Sequence, residues 1–485
     1  FVDAKGDTGL DLGINARPLI EGRGRGNGIA FRLTPAEPII AFQKFHFVDN
    51  SDWIYLHKNM RVYANVDMDS EDGLCFRMQS DRSDTVSLQN INLELIRFRL
   101  DKLSGILPYM PRITGLFSAE ANYIQTATSL QVSAEAGVEK LTYERQPVGN
   151  IGLGATWLPG DKGTHYLNAY FRSGDQEVLT ADAVLTQKNG RDSLEVNTTF
   201  EHFPLSLANA FMPDQVVTFT GDIDGGLYIN GDMEKPKMSG DLSLDSVSVY
   251  ARQAGARYWF DNRPLKIENN QLIFNKFAIY TTSRNPFTID GNVDFRNMDR
   301  PTANLTLRAQ NYTLLDAPRT RESMLYGKIF VDLNATVRGP LDGLTMRGNM
   351  NLLGNTDVTY VLTDSPLTVE DRLGELVTFT SFTDTTSVQA TEVPTMSLGG
   401  MDMLMSVHID DAVRLRADLS PDRSSRVELE GGGDLNLQYT PQGDLTLSGR
   451  YTLIGGMMKY ALPVIPLKEF QFVNGSYVDW TGNPM

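Results

Sequence analysis

Every second residue is apolar in many short segments of this chain, and Gly, Asn, Asp and Pro separate these segments. An alternation with a period of two is typical of a β-strand with one wet face and one dry face. Parallel neighbours would need crossovers of a dozen or more residues, so the short breaks predict a mostly antiparallel, all-β chain. The clearest predicted strands are residues 62–66, 130–138, 151–157, 194–200, 305–307 and 415–419.

A repeated phrase follows four glycines that stand 106 residues apart, Gly115, Gly221, Gly327 and Gly433. After the last three glycines the alternation is clear, whereas the copy after Gly115 is weak. A repeat of this length must hold several strands, because common solenoid repeats are only about 20 to 50 residues long. The repeat predicts successive units of one elongated sheet, with boundaries at 1–110, 111–216, 217–322, 323–428 and 429–485.

Few segments have a helix-like pattern, and most of these segments come just before a repeat glycine. Prolines follow three of these apolar pieces, and a proline stops a helix. They are predicted to be short helices or crossing loops between the units, at residues 96–110, 205–211 and 312–315, with a further candidate at 369–376.

So little helix cannot cover the apolar side of a long sheet. Either a second sheet closes over it as a sandwich, or the sheet curls into an open trough that something else fills. Acyl chains are good candidates, since burying each methylene contributes about 0.8 kcal/mol. Strand parity selects the candidate lining residues, which would be ordinary core in a closed sandwich: Leu227, Ile229, Leu242, Leu244, Ile329, Val331, Leu333, Met350, Leu352, Leu435, Leu437, Leu445 and Leu447.

The net charge is −16, from 44 basic and 60 acidic residues, and no basic stripe offsets it. Such a chain repels nucleic acid, so no nucleic-acid partner is expected. No segment reaches the roughly 18 to 20 apolar residues of a membrane-spanning helix. The chain starts at Phe1 without a signal-like segment, so it is expected to be a piece of a longer protein whose anchor lies elsewhere.

The residues suggest no catalytic, metal or cofactor site. Cys75 is the single cysteine, and its apolar neighbours favour a small buried role. The pairs Asp410-Asp411 and Glu428-x-Glu430 fit turns and strand ends of an acidic protein better than calcium or glycosidase carboxylates. The loop at residues 23–28, with two arginines, is interpreted as a turn. Five scattered histidines have no partners at ligand spacing: His46, His57, His165, His202 and His408.

Two longer phrases resemble the TamB family, and the resemblance covers most of residues 90–485. The first phrase contains Phe203-Pro204-Leu205, Met212-Pro213, Gly221, Leu227-x-Ile229-x-Gly231, Pro236 and Gly240-x-Leu242-x-Leu244. The second contains Gly449-x-Tyr451-x-Leu453-x-x-Gly456, Tyr460, Phe470-x-Phe472 and Gly475-Ser476-x-Val478-x-Trp480-x-Gly482-x-Pro484. It is similar to the start of the C-terminal TamB domain, which in the family continues further, so 429–485 is expected to be a truncated copy.

The resemblance implies a bridge-like lipid transfer protein related to AsmA, with an elongated, curved β-sheet that forms an open, taco-like apolar groove. It implies a non-enzymatic conduit for phospholipids in the periplasm of a Gram-negative bacterium, linked to outer-membrane protein assembly. The implied partners are phospholipid acyl chains, the inner membrane through an N-terminal anchor, and a TamA-like outer-membrane insertase barrel that binds outside this segment. No cofactor is implied.

Two other functions are compatible with the residues. A structural or adhesin-like β-repeat protein would seal its dry face between two sheets. A carbohydrate-binding or carbohydrate-hydrolysing β protein would show exposed aromatic clusters, but the tryptophans are far apart in sequence: Trp53, Trp157, Trp259 and Trp480.

Overall fold

A computed structural model describes residues 14–21, 28–40, 43–48, 53–81, 84, 86–102, 111–188, 191–212, 217–252, 254–320, 323–362, 400–420, 424–460 and 468–482. These residues form 29 β-strands and three short 3-10 helices. The all-β class and the mostly antiparallel sheet predicted from the alternation are therefore confirmed. The loop at residues 23–28 falls outside the described residues except for Gly28, where a strand begins.

The chain divides into two compact units. Unit 1 comprises residues 1–212 and 221–245, and unit 2 comprises residues 213–220 and 246–485, so that β14 and β15 contribute to both. The first fifteen strands are β1 (Ile14–Glu21), β2 (Gly28–Ile40), β3 (Gln43–Phe47), β4 (Trp53–His57), β5 (Val62–Ser70), β6 (Cys75–Gln79), β7 (Gln89–Arg99), β8 (Ile113–Gln125), β9 (Leu130–Tyr143), β10 (Gln146–Pro159), β11 (Thr164–Ser173), β12 (Gln176–Lys188), β13 (Arg191–Pro204), β14 (Val217–Asp232) and β15 (Lys235–Ala251).

The remaining strands lie in unit 2. They are β16 (Ala256–Phe260), β17 (Leu265–Glu268), β18 (Gln271–Tyr280), β19 (Phe287–Asp294), β20 (Thr302–Ala317), β21 (Leu325–Pro340), β22 (Thr345–Leu352), β23 (Asp357–Val361), β24 (Asp402–Ile409), β25 (Arg414–Asp418), β26 (Arg426–Tyr439), β27 (Leu445–Tyr460), β28 (Lys468–Gln471) and β29 (Tyr477–Gly482).

The predicted helices correspond only partly to the structure. Leu205–Phe211 is a 3-10 helix, as expected for an apolar piece before a proline. The prediction for residues 312–315 was wrong, because they lie inside β20 and pair with β21. Four residues are too few to nucleate a helix, so the ladder with the neighbouring strand decides the conformation. Residues 96–99 end β7, and Leu100–Lys102 is the only described helical part of the predicted 96–110 segment. Residues 369–376 lie outside the described residues.

One place in unit 2 departs from the expected antiparallel order. β22 and β24 are parallel, with Thr345 opposite Asp402, and β23 and β25 are parallel, with Val361 opposite Asp418. β22 and β23 share β21 as a neighbour, and β24 and β25 share β26.

Candidate functional site

The strand register of unit 2 aligns apolar residues into rows that run across the sheet. Directly opposite residues of paired strands lie on the same face. Starting in β18, one row passes through nine strands: Ile279, Phe287, Ala309, Leu333, Met350, Val407, Leu435, Gly449 and Trp480. The next row contains Phe277, Ile289, Leu307, Ala335, Gly348, Met405, Leu437, Leu447 and Gly482. We call this side of unit 2 its apolar face.

All nine candidate lining residues of unit 2 lie on this face. Leu333, Met350 and Leu435 belong to the first row, and Leu437 and Leu447 belong to the second. The other four occupy neighbouring rows, in which the paired residues are Leu315 with Ile329, Val331 with Leu352, and Tyr439 with Leu445. Val331 and Leu435 are buried, whereas Leu445 is 43% exposed. The face is therefore packed at its centre and exposed at Leu445, where β27 begins.

Unit 1 also has an apolar face, but the residues along its centre are smaller. Its central row contains five alanines in adjacent strands: Leu93, Ala121, Ala134, Ala155, Ala169, Ala181, Thr198 and Leu227. Larger residues flank the alanines on both sides. One flanking row is Leu95, Ala119, Ala136, Leu153, Phe171, Leu179, Phe200 and Gly225, and the other is Ile91, Tyr123, Val132, Trp157, Leu167, Ala183, Val196 and Ile229.

The candidate residues of the 217–322 segment join this face of unit 1. Leu227 ends the alanine row and Ile229 ends a flanking row. Leu242 lies beside Gly225, where a Cβ would come within 3.1 Å of the Leu242 Cα. Leu242 and Leu244 are both half-buried in β15. Leu153, in the middle of the face, is 56% exposed, so this face presents large apolar surface to solvent.

The opposite faces carry hydrogen-bonding side chains. In unit 1 the Asn92 amide donates to Asn122 over 2.8 Å, and the Tyr170 hydroxyl and Arg172 guanidinium both donate to Glu135. In unit 2 Arg450 binds Asp479 through two bonds of 2.8 and 2.9 Å. Polar residues therefore alternate with the apolar rows, as expected for a sheet with one wet and one dry face.

Five β-bulges share a contact that we call the bulge latch. Two residues of one strand face a single residue of the next, and the second bulged residue has a left-handed φ, from 44° at Asn311 to 61° at Arg97. Its backbone N–H donates to the side-chain oxygen of the single opposing residue. The five donor–acceptor pairs are Arg97 with Ser118, Lys140 with Asn150, His202 with Asp224, Lys276 with Asp290, and Asn311 with Asp332, at 2.7 to 3.0 Å.

Each bulge takes the N–H of its second residue out of the β-ladder, and the latch gives that N–H an acceptor. The extra residue also shifts the in–out alternation of the strand by one position. The next residue therefore returns to the apolar face, as Phe277 and Tyr312 do, 5% and 2% exposed. Sequence alternation did not predict the latches. The available signal was a break in the alternation just before an aromatic residue, or before Leu141 in one case, with an Asp, Asn or Ser 10 to 22 residues later.

Burial raises the pKa of two tyrosines and of the cysteine. The Tyr451 side chain is 1% exposed, and its hydroxyl has no hydrogen-bond partner. This burial, with a smaller contribution from Glu430, raises the pKa of Tyr451 to about 12. Burial likewise raises the pKa of Tyr312. Cys75 is half-buried, and burial raises the pKa of its thiol to about 11, so the thiolate needed for reactivity is disfavoured.

The acid pairs considered in the sequence are engaged in ordinary contacts. Glu428 lies 3.2 Å from Arg426 and Glu430 lies 3.6 Å from Arg414. Asp410 accepts the backbone N–H of Ala412 in a turn, 3.1 Å. None of these carboxylates faces another across a cleft, as a glycosidase pair does.

Comparison with known families gives a match that begins within β18 and runs to Met485. Residues 275–485, which hold all the apolar rows of unit 2 from Phe277 onwards, match the family described as TamB C-terminal domain. This match supports the resemblance to the TamB family for residues 275–485. Comparison with curated proteins and with solved structures gave no match.

The TamB domain overlaps the predicted segments 217–322, 323–428 and 429–485, whose boundaries remain predictions. It includes both parallel strand pairs and two of the bulge latches. The TamB C-terminal domain match supports a role in the translocation and assembly module. Within the described residues, no helix has the length and apolar character needed to cross a membrane.

Proposed function

We propose that this TamB-family chain is a non-enzymatic conduit that carries phospholipids between the inner and outer membranes of a Gram-negative envelope. The observation that supports this most directly is the alignment of apolar residues into rows across eight strands in unit 1 and nine strands in unit 2. A row runs perpendicular to the strands, so an acyl chain lying along it passes from strand to strand without leaving apolar surface.

The alanine row of unit 1 offers room for such a chain. Its five alanines span four strand spacings, about 19 Å, which is close to the length of an extended acyl chain of about 16 carbons. Phe171 and Leu153 stand on one side of the row, and Trp157 and Leu167 stand on the other. Transfer of each methylene from water to this surface contributes about 0.8 kcal/mol, so a single tail gains more than any polar contact would supply.

In this proposal the protein works in the periplasm, anchored to the inner membrane in its full-length form, and a TamA-like insertase barrel is its outer-membrane partner. The linked role in outer-membrane protein translocation and assembly follows from the same partner. No residue has a catalytic role. The alternative is a structural or adhesin-like β-repeat protein, in which a second layer seals the apolar faces and no lipid enters.

The experiment is to purify the chain from a Gram-negative host, extract it with organic solvent and quantify phospholipid by mass spectrometry. The purified chain should also accelerate transfer of a fluorescent phospholipid between two vesicle populations. Absence of co-purified lipid together with absence of transfer would contradict the conduit.

Substitutions on the apolar faces locate the path. Leu153→Asp places a charge on a wet apolar position and should reduce bound lipid and transfer while the circular dichroism spectrum is retained. Thr156→Asp, which lies on the opposite face beside Ser133 and Asn168, is the matched control. In unit 2, Leu333→Asp and Leu437→Asp should act in the same way, with Asn334→Asp and Asn436→Asp as controls. In a sealed core the apolar-face variants would bury an unpaired charge and unfold.

A further inference from the structure

Three strands of unit 1 bring together His202, Asp224 and Asp245, although these residues are 22 and 21 positions apart in the chain. One ligand atom from each residue lies within 4.8 Å of the others, and His202 Nδ1 is 3.4 Å from Asp224 Oδ1. His202 lies in the bulge between β13 and β14, Asp224 is the residue of β14 opposite it, and Asp245 comes from β15. The fold, not a sequence motif, creates this cluster.

We propose that His202, Asp224 and Asp245 form a binding site for a first-row divalent cation such as Zn²⁺. Zinc binds imidazole nitrogen and carboxylate oxygen at about 2.0 to 2.2 Å in tetrahedral geometry, which separates neighbouring ligand atoms by about 3.4 Å. The 3.4 Å between His202 Nδ1 and Asp224 Oδ1 matches that separation. The imidazole favours such a metal over Ca²⁺ and Mg²⁺, which prefer oxygen ligands throughout.

The bulge latch fixes one of the ligands before a metal arrives. The backbone N–H of His202 donates to Asp224 Oδ1 over 2.8 Å. This bond ties the imidazole-bearing residue to the carboxylate that would share the metal, in the manner of the hydrogen bonds that orient metal ligands. The His202 side chain is 65% exposed, so an ion reaches the site directly from solvent and a fourth position stays open to water.

Comparison with the other four latches provides a separate argument. The residue equivalent to His202 is Arg97, Lys140, Lys276 or Asn311 in those bulges. Three of the four therefore carry a permanent positive charge, and none offers a metal-binding side chain. At His202 the fixed charge is replaced by an imidazole, and two carboxylates face it. This latch therefore brings two carboxylates to a nitrogen ligand, a donor set that suits a divalent metal such as Zn²⁺.

This inference does not depend on lipid transport. A bound cation would join β13, β14 and β15 and would stabilise the folded state by mass action. The test is isothermal titration of the chelator-stripped whole chain with ZnCl₂. We expect one Zn²⁺ per chain at this site, a tenfold excess of CaCl₂ that does not displace it, and a higher Tm at saturating Zn²⁺.

His202→Gln and Asp245→Asn should each weaken Zn²⁺ binding at least tenfold and remove the increase in Tm. The matched control is His408→Gln. His408 Nδ1 lies 2.8 Å from Asp434 Oδ1, but this pair has no third ligand in the described chain. That variant should bind Zn²⁺ as the unmodified chain does. Equal binding by His202→Gln, equal weakening by His408→Gln, displacement by Ca²⁺, or absence of Zn²⁺ binding would each overturn the proposal.

Discussion

The backbone N–H of Asn311 donates a hydrogen bond of 2.7 Å to Oδ1 of Asp332 across the bulge between β20 and β21. Asn311 has a φ of 44°, so its N–H is turned away from the ladder and needs another acceptor. The same arrangement joins Arg97 to Ser118 and His202 to Asp224. The three acceptors, Ser118, Asp224 and Asp332, are successively 106 and 108 residues apart, so three of the five latches recur with nearly the same spacing as the glycines.

Removing the acceptor of one latch should destabilise unit 2. Asp332→Ala leaves the Asn311 N–H to water alone, and we expect a loss of about 1 kcal/mol in the free energy of unfolding. Asp332→Asn keeps an acceptor oxygen and should lose less. Asn334→Ala lies on the same strand and the same face without a latch, and should stay within about 0.5 kcal/mol of the unmodified chain. Urea denaturation measures all three, and equal midpoints for Asp332→Ala and Asn334→Ala would count against the latch.

The left-handed conformation of the bulged residues gives a second prediction. Lys276 has a φ of 49°, a region that costs about 1 to 2 kcal/mol for residues with a Cβ. Lys276→Gly should therefore be at least as stable as the unmodified chain, whereas Lys276→Val should lose about 1 kcal/mol or more because it is β-branched. Thermal unfolding followed by circular dichroism gives the order. A valine variant as stable as the glycine variant would show that the bulge adopts another conformation.

The repeat glycine Gly433 is required by a close approach between strands. A Cβ at this position would overlap the carbonyl oxygen of Arg450 in β27. Gly433→Ala must separate β26 from β27, and we expect a loss of about 1 to 3 kcal/mol. Gly455→Ala in β27 is the control, since a Cβ there meets nothing within 4 Å. Denaturation midpoints that are the same for both alanine variants would contradict this reason for the glycine.

The unpartnered hydroxyl of Tyr451 predicts both a stabilising substitution and an alkaline transition. Tyr451→Phe removes a buried polar atom without a hydrogen bond and should increase the free energy of unfolding by about 1 kcal/mol. Burial raises the pKa of Tyr451 to about 12 in the folded chain, from the ordinary tyrosine value of 10.0. A raised folded-state pKa means that its contribution is complete below about pH 10 and is lost as the pH rises through about 12.

Stability measured from pH 9 to pH 12 distinguishes Tyr451 from other groups. The Tyr451→Phe variant should lose less stability than the unmodified chain over this range, because one buried ionisation is removed. Tyr477→Phe serves as the control, since Tyr477 is 57% exposed. Parallel pH profiles for the unmodified chain and Tyr451→Phe would show that this hydroxyl is solvated in the folded state.

Which residues of one strand share a face could be predicted from the sequence, because the alternation is a local property of the strand. The alternation at Ile329, Val331 and Leu333 correctly predicts a strand, and the register places all three on one face. The short 3-10 helix Leu205–Phe211 was also predictable, since an apolar piece before a proline has few other conformations. Residues 312–315 show the limit of this reasoning, because their partner strand decided their conformation.

Relationships between distant strands depended on the tertiary structure. The parallel pairing of β22 with β24 joins residues more than 50 positions apart, and no local pattern encodes such a contact. The bulge latches and the cluster around His202 depend on an extra residue in one strand. That residue changes the register and so determines which side chain of the next strand lies opposite the bulge. The sequence alone therefore determined that the chain is a set of strands with one dry face each. Only the register between strands decided how those faces align into rows and which polar side chains meet, since register is set by pairing over long separations.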